Sequence, residues 1–190
     1  FVPNQGNDSH NINCSIMISL KKTLATALVA LGLCVAGQTE AKAQNVFETG
    51  TNIASVGLGA SLHTNAAGKQ TGSMTINLAA DHCLNGHIWD DNSAFTLGGQ
   101  AVINMYSGGT DYFLGPRAGL HYHFIPALDT YCFVALGFRG DHSNESKASS
   151  FGFGYNTGIG LRYMVAPSWG LFVEAGYGMS VLNIGASFSF

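Results

Sequence analysis

The sequence contains few charged residues. Asp, Glu, Lys and Arg make up 10% of its 190 residues, whereas they make up roughly a quarter of ordinary soluble domains. Only 8 residues are Lys or Arg, and the formal net charge is -3. Such a chain offers no basic surface that could follow a phosphate backbone, so its composition argues against a nucleic-acid partner.

Long hydrophobic runs are also missing after the first 43 residues. A transmembrane helix needs about 20 consecutive apolar residues, and no later segment approaches that length. What the chain does have is glycine, with 25 residues, and a hydrophobic fraction of 46%. Few charges combined with many glycines and aromatics indicate closely packed β-structure rather than a water-facing globule.

The N-terminal part of the chain has the features of a leader. Residues 17–43 begin with Met, continue through two lysines into an apolar stretch, and end in Ala-Lys-Ala, an Ala-x-Ala site. This order predicts a secretory signal peptide over 17–43, with 1–16 as an upstream extension and 44–190 as the mature domain. The alternative, a membrane anchor, is disfavoured because the apolar stretch is too short to span a bilayer as a helix.

The mature domain alternates between apolar and small residues. In FGFGYNTGIGLRYMV, residues 151–165, the odd positions are aromatic, aliphatic or Thr, and the even positions are mostly Gly. A period of two is the pattern of a β-strand with one apolar face. We predict eight such strands, an even number as in bacterial single-chain barrels, at 56–62, 74–80, 95–105, 111–124, 130–141, 151–165, 169–178 and 182–190.

The connections between the predicted strands alternate in length. Those at Ile125–Asp129 and Ala166–Ser168 are short, which predicts that they and both chain ends lie on the periplasmic side and the polar loops lie outside. We predict that Val165 pairs with Trp169, because this pairing places the apolar faces of the two strands on the same side of the sheet. The connection at Cys83–Asn92 is longer than the rule for periplasmic turns expects.

The charged residues of the strands indicate which face of the predicted barrel contacts water. In this register they all share the glycine-rich face. A secreted carrier barrel would turn that face outward and crowd its aromatics into a narrow lumen. The reverse arrangement is easier to pack and predicts an all-β, eight-stranded, antiparallel up-and-down transmembrane β-barrel with a filled polar lumen. Because an unpartnered buried charge is costly, we expect one interior network of Asp81, Arg117, Arg139, Asp141, Arg162 and Glu174.

The apolar face carries aromatic residues toward its ends. We expect Tyr163 and Trp169 to lie at the depth of the membrane interface, where aromatic side chains are enriched. The row on the last strand ends in Phe188 and Phe190. Cys83 and Cys132 are predicted on opposite faces of non-neighbouring strands, so we expect no disulfide between them.

Three segments carry a resemblance to a known family. GPRAGLHYHF, LDTYCFVALGF and GLRYMVAPSWGLFVEAGYGMSVLNIGASFSF resemble the small, porin-like outer-membrane β-barrel proteins of the Bacteroidetes. The matching residues are Arg117, Tyr122, His123, Phe124, Asp129, Tyr131, Glu174, Gly176, Tyr177 and Gly178. Phe133 departs from the family, which tends to have a small residue there. The resemblance implies the barrel fold and an outer-membrane location, and it implies that Phe188 and Phe190 belong to the signal read by the barrel assembly machinery.

No segment predicts catalysis, a cofactor or a metal site. DHSNES, residues 141–146, has the composition of a Ser-His-acid site, but adjacent His142 and Ser143 project to opposite sides of an extended chain, so we interpret it as a solvated loop. His121 and His123 could chelate a metal only with a third ligand, which the sequence does not place nearby. The mixture His82, Cys83 and His87 lacks paired metal-ligand spacing.

The features together predict a monomeric integral outer-membrane protein that is not an enzyme and serves in envelope structure or surface interaction. Its expected partners are outer-membrane lipids and, during biogenesis, the barrel assembly machinery, while the sequence identifies no surface ligand. Two alternatives stay open: a narrow or gated porin for small solutes, and a lipid-modifying outer-membrane enzyme.

Deletion of Phe190 tests the interpretation of the final strand. We expect less protein in the outer-membrane fraction, because the aromatic end of an assembly signal is lost, while Phe190→Tyr keeps normal levels. Membrane fractionation with immunoblotting measures the difference. Normal assembly of the deletion variant would contradict the interpretation.

Overall fold

The computed structural model describes residues 47–64, 70–143 and 149–190. The predicted upstream extension, 1–16, and signal peptide, 17–43, lie outside these residues. In the described part of the chain, no helix combines the length and hydropathy needed to cross a membrane.

Eight antiparallel strands form a closed barrel. Each strand pairs with its neighbours along the chain, and β1 closes the ring by pairing with β8. This arrangement confirms the predicted up-and-down fold. The strands are β1 (Asn52–Thr64), β2 (Gln70–Asn85), β3 (Ser93–Tyr106), β4 (Gly109–Ile125), β5 (Leu128–Ser143), β6 (Ser149–Ala166), β7 (Trp169–Tyr177) and β8 (Leu182–Ser189).

Burial alternates along the strands and separates a polar lumen from an apolar exterior. On β6, Asn156 and Arg162 are buried in the lumen, whereas Phe153, which points outward, is 74% exposed. Cys83 is buried and Cys132 is exposed, so the two side chains lie on opposite faces of the barrel wall. An exterior of large exposed apolar side chains is what a lipid-facing barrel presents.

Two predicted turns are shorter in the structure because irregularities in the register let the strands continue. β4 ends at Ile125 and β5 begins at Leu128, so the prediction of a turn over Ile125–Asp129 was wrong and Asp129 lies within β5. Near the end of β6, a register shift between Met164 and Ala166 places Ala166, rather than Val165, opposite Trp169. A bulge of this kind adds one residue to one strand only.

The two ends of the barrel differ. One end carries the start of β1, the end of β8 and the connections 86–92, 126–127 and 167–168. We name it the periplasmic end, as predicted above, because two of its three connections are the two-residue turns typical of that side. The opposite end, which we name external, carries the connections 107–108 and 178–181, together with the end of β1, the start of β2, the end of β5 and the start of β6.

Glycines in the lumen make room for large side chains. Gly160 on β6 lies directly opposite Tyr131 on β5, and the phenol ring covers the glycine. A Cβ added at Gly160 would clash with Tyr131 Cζ. Gly152, on the same strand, has no atom within 4 Å of the position where a Cβ would stand. Packing therefore requires glycine at Gly160, whereas the space at Gly152 would accept a larger residue.

Gly160→Ala should destabilise the folded barrel, because the new methyl group pushes against a ring that is fixed on all sides. Overpacking of this kind costs about 1–3 kcal/mol. Gly152→Ala, which enters open space on the same strand, should change the free energy of unfolding little. Urea unfolding of the refolded proteins in detergent micelles compares the two variants, and equal stabilities would contradict the packing assigned to Gly160.

Candidate functional site

The centre of the lumen is organised around Arg117 on β4, which is 1% exposed. Its Nη2 donates to Glu174 Oε1 at 2.8 Å, and its Nε lies 3.3 Å from Asp81 Oδ1. These carboxylates come from β7 and β2, so one guanidinium ties three strands together. The guanidinium carbon also lies 3.9 Å from the ring centroid of Phe133. Phe133 thus provides an aromatic surface against which a buried cation packs.

The Glu174 carboxylate accepts further hydrogen bonds. Asn77 Nδ2 donates to Glu174 Oε2 at 3.0 Å, and Tyr131 OH donates to Oε1 at 3.0 Å. Asn77 in turn accepts a hydrogen bond from Gln100 Nε2, whose own amide oxygen accepts from Asn156 Nδ2. The carboxylate is therefore embedded in a side-chain network that crosses the lumen, and such a network is stabilising when its members are satisfied.

A second cluster lies closer to the periplasmic end. Arg162 on β6 stands directly opposite Asp129 on β5, and its Nη1 donates to Asp129 Oδ2 at 2.9 Å. Arg162 Nε donates to Ser187 Oγ at 3.0 Å. His121 Nδ1 lies 3.0 Å from the same carboxylate oxygen, and its Nε2 lies 3.1 Å from Thr96 Oγ1.

Tyr131 connects the two clusters. Its ring stacks on the His121 ring at a centroid distance of 5.0 Å, and the guanidinium carbons of Arg162 and Arg117 lie 4.9 and 5.7 Å from its centroid. Its hydroxyl bonds to Glu174. The interior between the two arginines is thus filled by an aromatic ring.

A third cluster lies at the external end. Arg139 Nη2 donates to Asp111 Oδ2 at 2.9 Å, and His63 Nδ1 lies 3.1 Å from the same oxygen. The His63 ring stacks on Tyr106 with 3.8 Å between centroids. The Arg139 side chain is 44% exposed, so this cluster meets solvent.

The predicted network is divided among these clusters. The structure brings Arg117 together with Asp81 and Glu174, and it pairs Arg162 and Arg139 with carboxylates that were not in the predicted set. Asp141 lies in β5 opposite Asp111 and accepts a hydrogen bond from Ser150 instead of contacting an arginine.

Two buried side chains from outside the strands lie toward the two ends of the lumen. Phe47, which precedes β1, is buried at the periplasmic end against Ile53, Cys83 and Ala94. Its ring centroid is 4.2 Å from that of His121. Near the external end, Met179 from the β7–β8 connection packs on Val102, Phe113 and Ala135. Met179 N donates to Asn156 Oδ1 at 3.1 Å, so the connection is held inside the barrel.

Sequence reasoning missed Asp111 and Asp129, although the signal was present. Both residues have odd numbers, like Arg117 on β4 and Tyr131 on β5, whose side chains face the lumen. Extending each alternation to the strand ends assigns both carboxylates to the lumen. No comparable signal identifies Phe47, because it precedes the first strand and lies outside the alternation.

Thr96, His121 and Asp129 have the order of a nucleophile, base and orienting acid. All three are buried, Phe47 covers the imidazole, and Arg162 holds the same carboxylate. A reacting group needs space beside the nucleophile, which this packing does not provide. The arrangement therefore positions the lumen side chains, and it presents no accessible catalytic site.

The other candidate groups are placed apart from one another. His142 lies in β5 and its Nδ1 is 3.1 Å from Ser149 Oγ, whereas Glu145 and Ser146 lie outside the described residues. His82 Nδ1 lies 2.8 Å from Asn52 Oδ1. Among the residues the structure describes, no group of three or more His, Cys, Asp or Glu side chains has the arrangement of a metal site.

The predicted aromatic positions lie at the periplasmic end of the exterior. Trp169 is the first residue of β7 and stands opposite Phe188 on β8. Tyr163 is exposed near the end of β6. Phe190 exchanges two backbone hydrogen bonds with Asn52 on β1, so the last residue still takes part in closing the barrel.

No protein-family model and no curated protein matches the sequence. The structure is similar to Ail, the attachment invasion locus protein of Yersinia pestis, with a TM-score of 0.55 and 13% identity over 76% of this chain and 100% of Ail. It is also similar to Neisserial surface protein A, with a TM-score of 0.53 and 14% identity over 74% of this chain and 97% of that protein. A designed transmembrane β-barrel gives a TM-score of 0.52 and 18% identity over 76% of this chain and 98% of the design. The fold is that of the eight-stranded outer-membrane β-barrels.

Replacement of Arg117 tests the central cluster. Arg117→Leu leaves two buried carboxylates without their cation, and breaking a buried ion pair in this way costs about 3–5 kcal/mol. Arg139→Leu is the comparison variant, and we expect it to lose less, because the Arg139 side chain is 44% exposed and its partner Asp111 keeps His63 at 3.1 Å. Urea unfolding in micelles measures both losses, and equal losses would contradict the central position of Arg117.

Proposed function

We propose that the protein is an integral outer-membrane barrel with a closed, filled lumen that serves in envelope structure or surface interaction and is not an enzyme. The observation that carries the proposal is the lumen itself, in which Arg117 is held between Asp81 and Glu174 and packs on Phe133. A barrel of eight strands has an interior just wide enough to be filled by side chains.

The closed ends support a sealed barrel more than the alternative of a porin. Phe47 occupies the periplasmic mouth and Met179 lies beneath the external one, while Tyr131 fills the space between the two interior arginines. A hydrated solute would have to displace the ion pairs as well as these apolar groups. A gated porin would need the ion pairs and these apolar groups to move together.

The proposed role at the surface depends on the external connections. The sequence of the connections at 65–69 and 144–148 is NAAGK and NESKA, which is polar and without large apolar side chains. A rigid, filled barrel would serve to hold such connections at the cell surface, where binding residues commonly lie on loops that a rigid scaffold positions.

The remaining assignments complete the proposal. We assign the protein to the porin-like Bacteroidetes family that its segments resemble, as a monomer in contact with outer-membrane lipids. The barrel assembly machinery is its partner during biogenesis, and Phe188 and Phe190 form the signal for that machinery. The exposed Tyr163 and the half-buried Trp169 serve as anchors at the periplasmic interface.

Conductance measurements test the filled lumen. Planar bilayers containing the purified protein should show no steady current above the lipid background, because the buried ion pairs exclude a continuous water column. Phe47→Ala should stay closed as well, since the clusters at Arg117 and Arg162 remain in place.

Two controls make the conductance result interpretable. An open porin reconstituted in the same way shows that the assay detects channels, and a mobility shift between boiled and unboiled gel samples shows that the protein is a folded barrel. Steady conductance of ions or sugars by the wild-type protein would overturn the filled lumen. A protein that fractionates as soluble, without a mobility shift, would overturn the membrane location.

A further inference from the structure

The external part of β6 has a neighbouring strand on one side only. β6 contains 18 residues, whereas β7 contains 9 and pairs with 157–166 of β6. Residues 149–156 pair with β5, and no strand in the described part of the chain pairs with their other side. Gly178 covers the last of this stretch, because a Cβ added to it would stand 2.3 Å from Tyr155 O. Residues 149–154 stay uncovered, and we name them the open edge.

The open edge is the longest stretch of its kind. In the other described strands, stretches with a partner on one side only reach four residues at most, as at 61–64 of β1 and 70–73 of β2. Its sequence, SSFGFG, contains no charged residue and no proline, and no bulge interrupts its pairing with β5. Charges, prolines and bulges are the devices by which proteins prevent unwanted pairing at a sheet edge. The open edge has none of them.

Pairing with β5 fixes the conformation of the open edge. Eight consecutive residue pairs join 135–142 of β5 to 149–156 of β6 in one register without a shift. The ring of Phe138 on β5 also stacks on that of Phe151, with 5.3 Å between centroids. A preformed edge loses little conformational freedom when it binds a partner, which favours affinity.

Both faces of the open edge are accessible. Burial alternates along most of β6, but residues 149–153 are exposed without interruption. On the outer face, Phe151 and Phe153 are 69% and 74% exposed. On the inner face, no atom lies within 4 Å of the position that a Cβ at Gly152 would take. The side chains of an added strand would therefore find room on both faces.

The open edge lies at the external membrane surface and beyond it. A tilted strand crosses an apolar band of about 25 Å in roughly ten residues. Counted along β6 from Tyr163, the proposed anchor at the periplasmic interface, ten residues end at Phe153. Unpaired backbone groups are also not tolerated in hydrocarbon, where no water can bond to them. The open edge is therefore accessible to partners outside the cell.

We propose that the open edge accepts an added β-strand from another protein, namely an extended segment with apolar side chains at alternate positions. The backbone N–H and C=O groups along an unpaired edge are the complement of such a strand. Phe151 and Phe153 would pack beside its apolar side chains, whereas Gly152 and Gly154 leave room on the inner face. The inference rests on the surface role proposed above and gives that role a class of partner.

A second copy of the chain fits the open edge less well. Two barrels inserted into one membrane in the same orientation are related by rotation about the membrane normal. Their β6 strands then run in the same direction and could meet only as parallel strands. The rotation also places Phe151 and Phe153 of the two copies on opposite faces of the joined sheet. A segment of another protein can instead run antiparallel to β6 and keep its apolar side chains on the phenylalanine face.

Hydrogen exchange measured by NMR tests the proposal. The isotope-labelled mature protein, refolded in detergent micelles, is compared with and without short synthetic peptides in which Val, Ile or Phe alternates with Thr. In the free protein, alternate amides within 149–154 should exchange fast, because their N–H groups point away from β5. A bound peptide should slow this exchange at least tenfold. Amides at 111–114 of β4, which is paired on both sides, should not change.

A lysine variant provides the second measurement. Phe153→Lys places a charge on the open edge, so the affinity for the peptides, measured by fluorescence polarisation, should fall at least tenfold. Leu114→Lys is the matched control, because Leu114 is outward and 65% exposed in the same row of paired residues, two strands away. Its affinity should change less than twofold. Peptides with proline at alternate positions should bind neither protein, because proline removes the backbone donors.

The outcomes separate the open edge from the membrane role. A folded barrel, identified by its heat-dependent mobility shift, overturns the added strand if no peptide slows the edge amides or if both lysine variants lose affinity equally, and the membrane barrel then stands. Edge amides that are protected without peptide also overturn it. Protection that rises with protein concentration would show that a second copy covers the edge, and constant protection that the chain itself does. A chain that stays soluble and shows no mobility shift would overturn both proposals.

Discussion

The buried ion pairs of Arg117 constrain the rest of the barrel. A guanidinium inside a narrow closed lumen has lost its hydration, and it is tolerated only where carboxylates and an aromatic surface replace that water. Asp81 and Glu174 come from strands on either side of β4 in the ring, so the interaction is complete only when the ring has closed in this register. A shift of one residue on any of these strands would turn a charge toward the lipid-facing side.

The same constraint explains the composition of the lumen. Large aromatic side chains stack on the cations, and glycine faces the rings on the adjacent strand, as at Gly160 beneath Tyr131. Asn77, Gln100 and Asn156 add a chain of side-chain hydrogen bonds that leads to Glu174, so the interior is polar. Opening a path through such a lumen would require several coupled interactions to break together.

The exterior follows a simpler rule. Most outward positions carry large apolar side chains, and such a surface is what a transmembrane barrel presents to lipid. The register shifts near Cys83, His123 and Met164 all lie next to the connections at the periplasmic end, so the strands are irregular at that end.

The amino-acid sequence alone determined the strand number, the two faces and the fold class, because a period of two is a local property that each strand carries independently. It also determined that Arg117 and Glu174 share a face. Only the tertiary structure decided which charges pair, because pairing depends on the register between neighbouring strands: Asp129 stands directly opposite Arg162 on β6, and Arg139 on β5 reaches Asp111 on β4. Closure of the barrel likewise decided the positions of Phe47 and Met179. Neither residue belongs to a strand, and each packs in a lumen that exists only when all eight strands are joined.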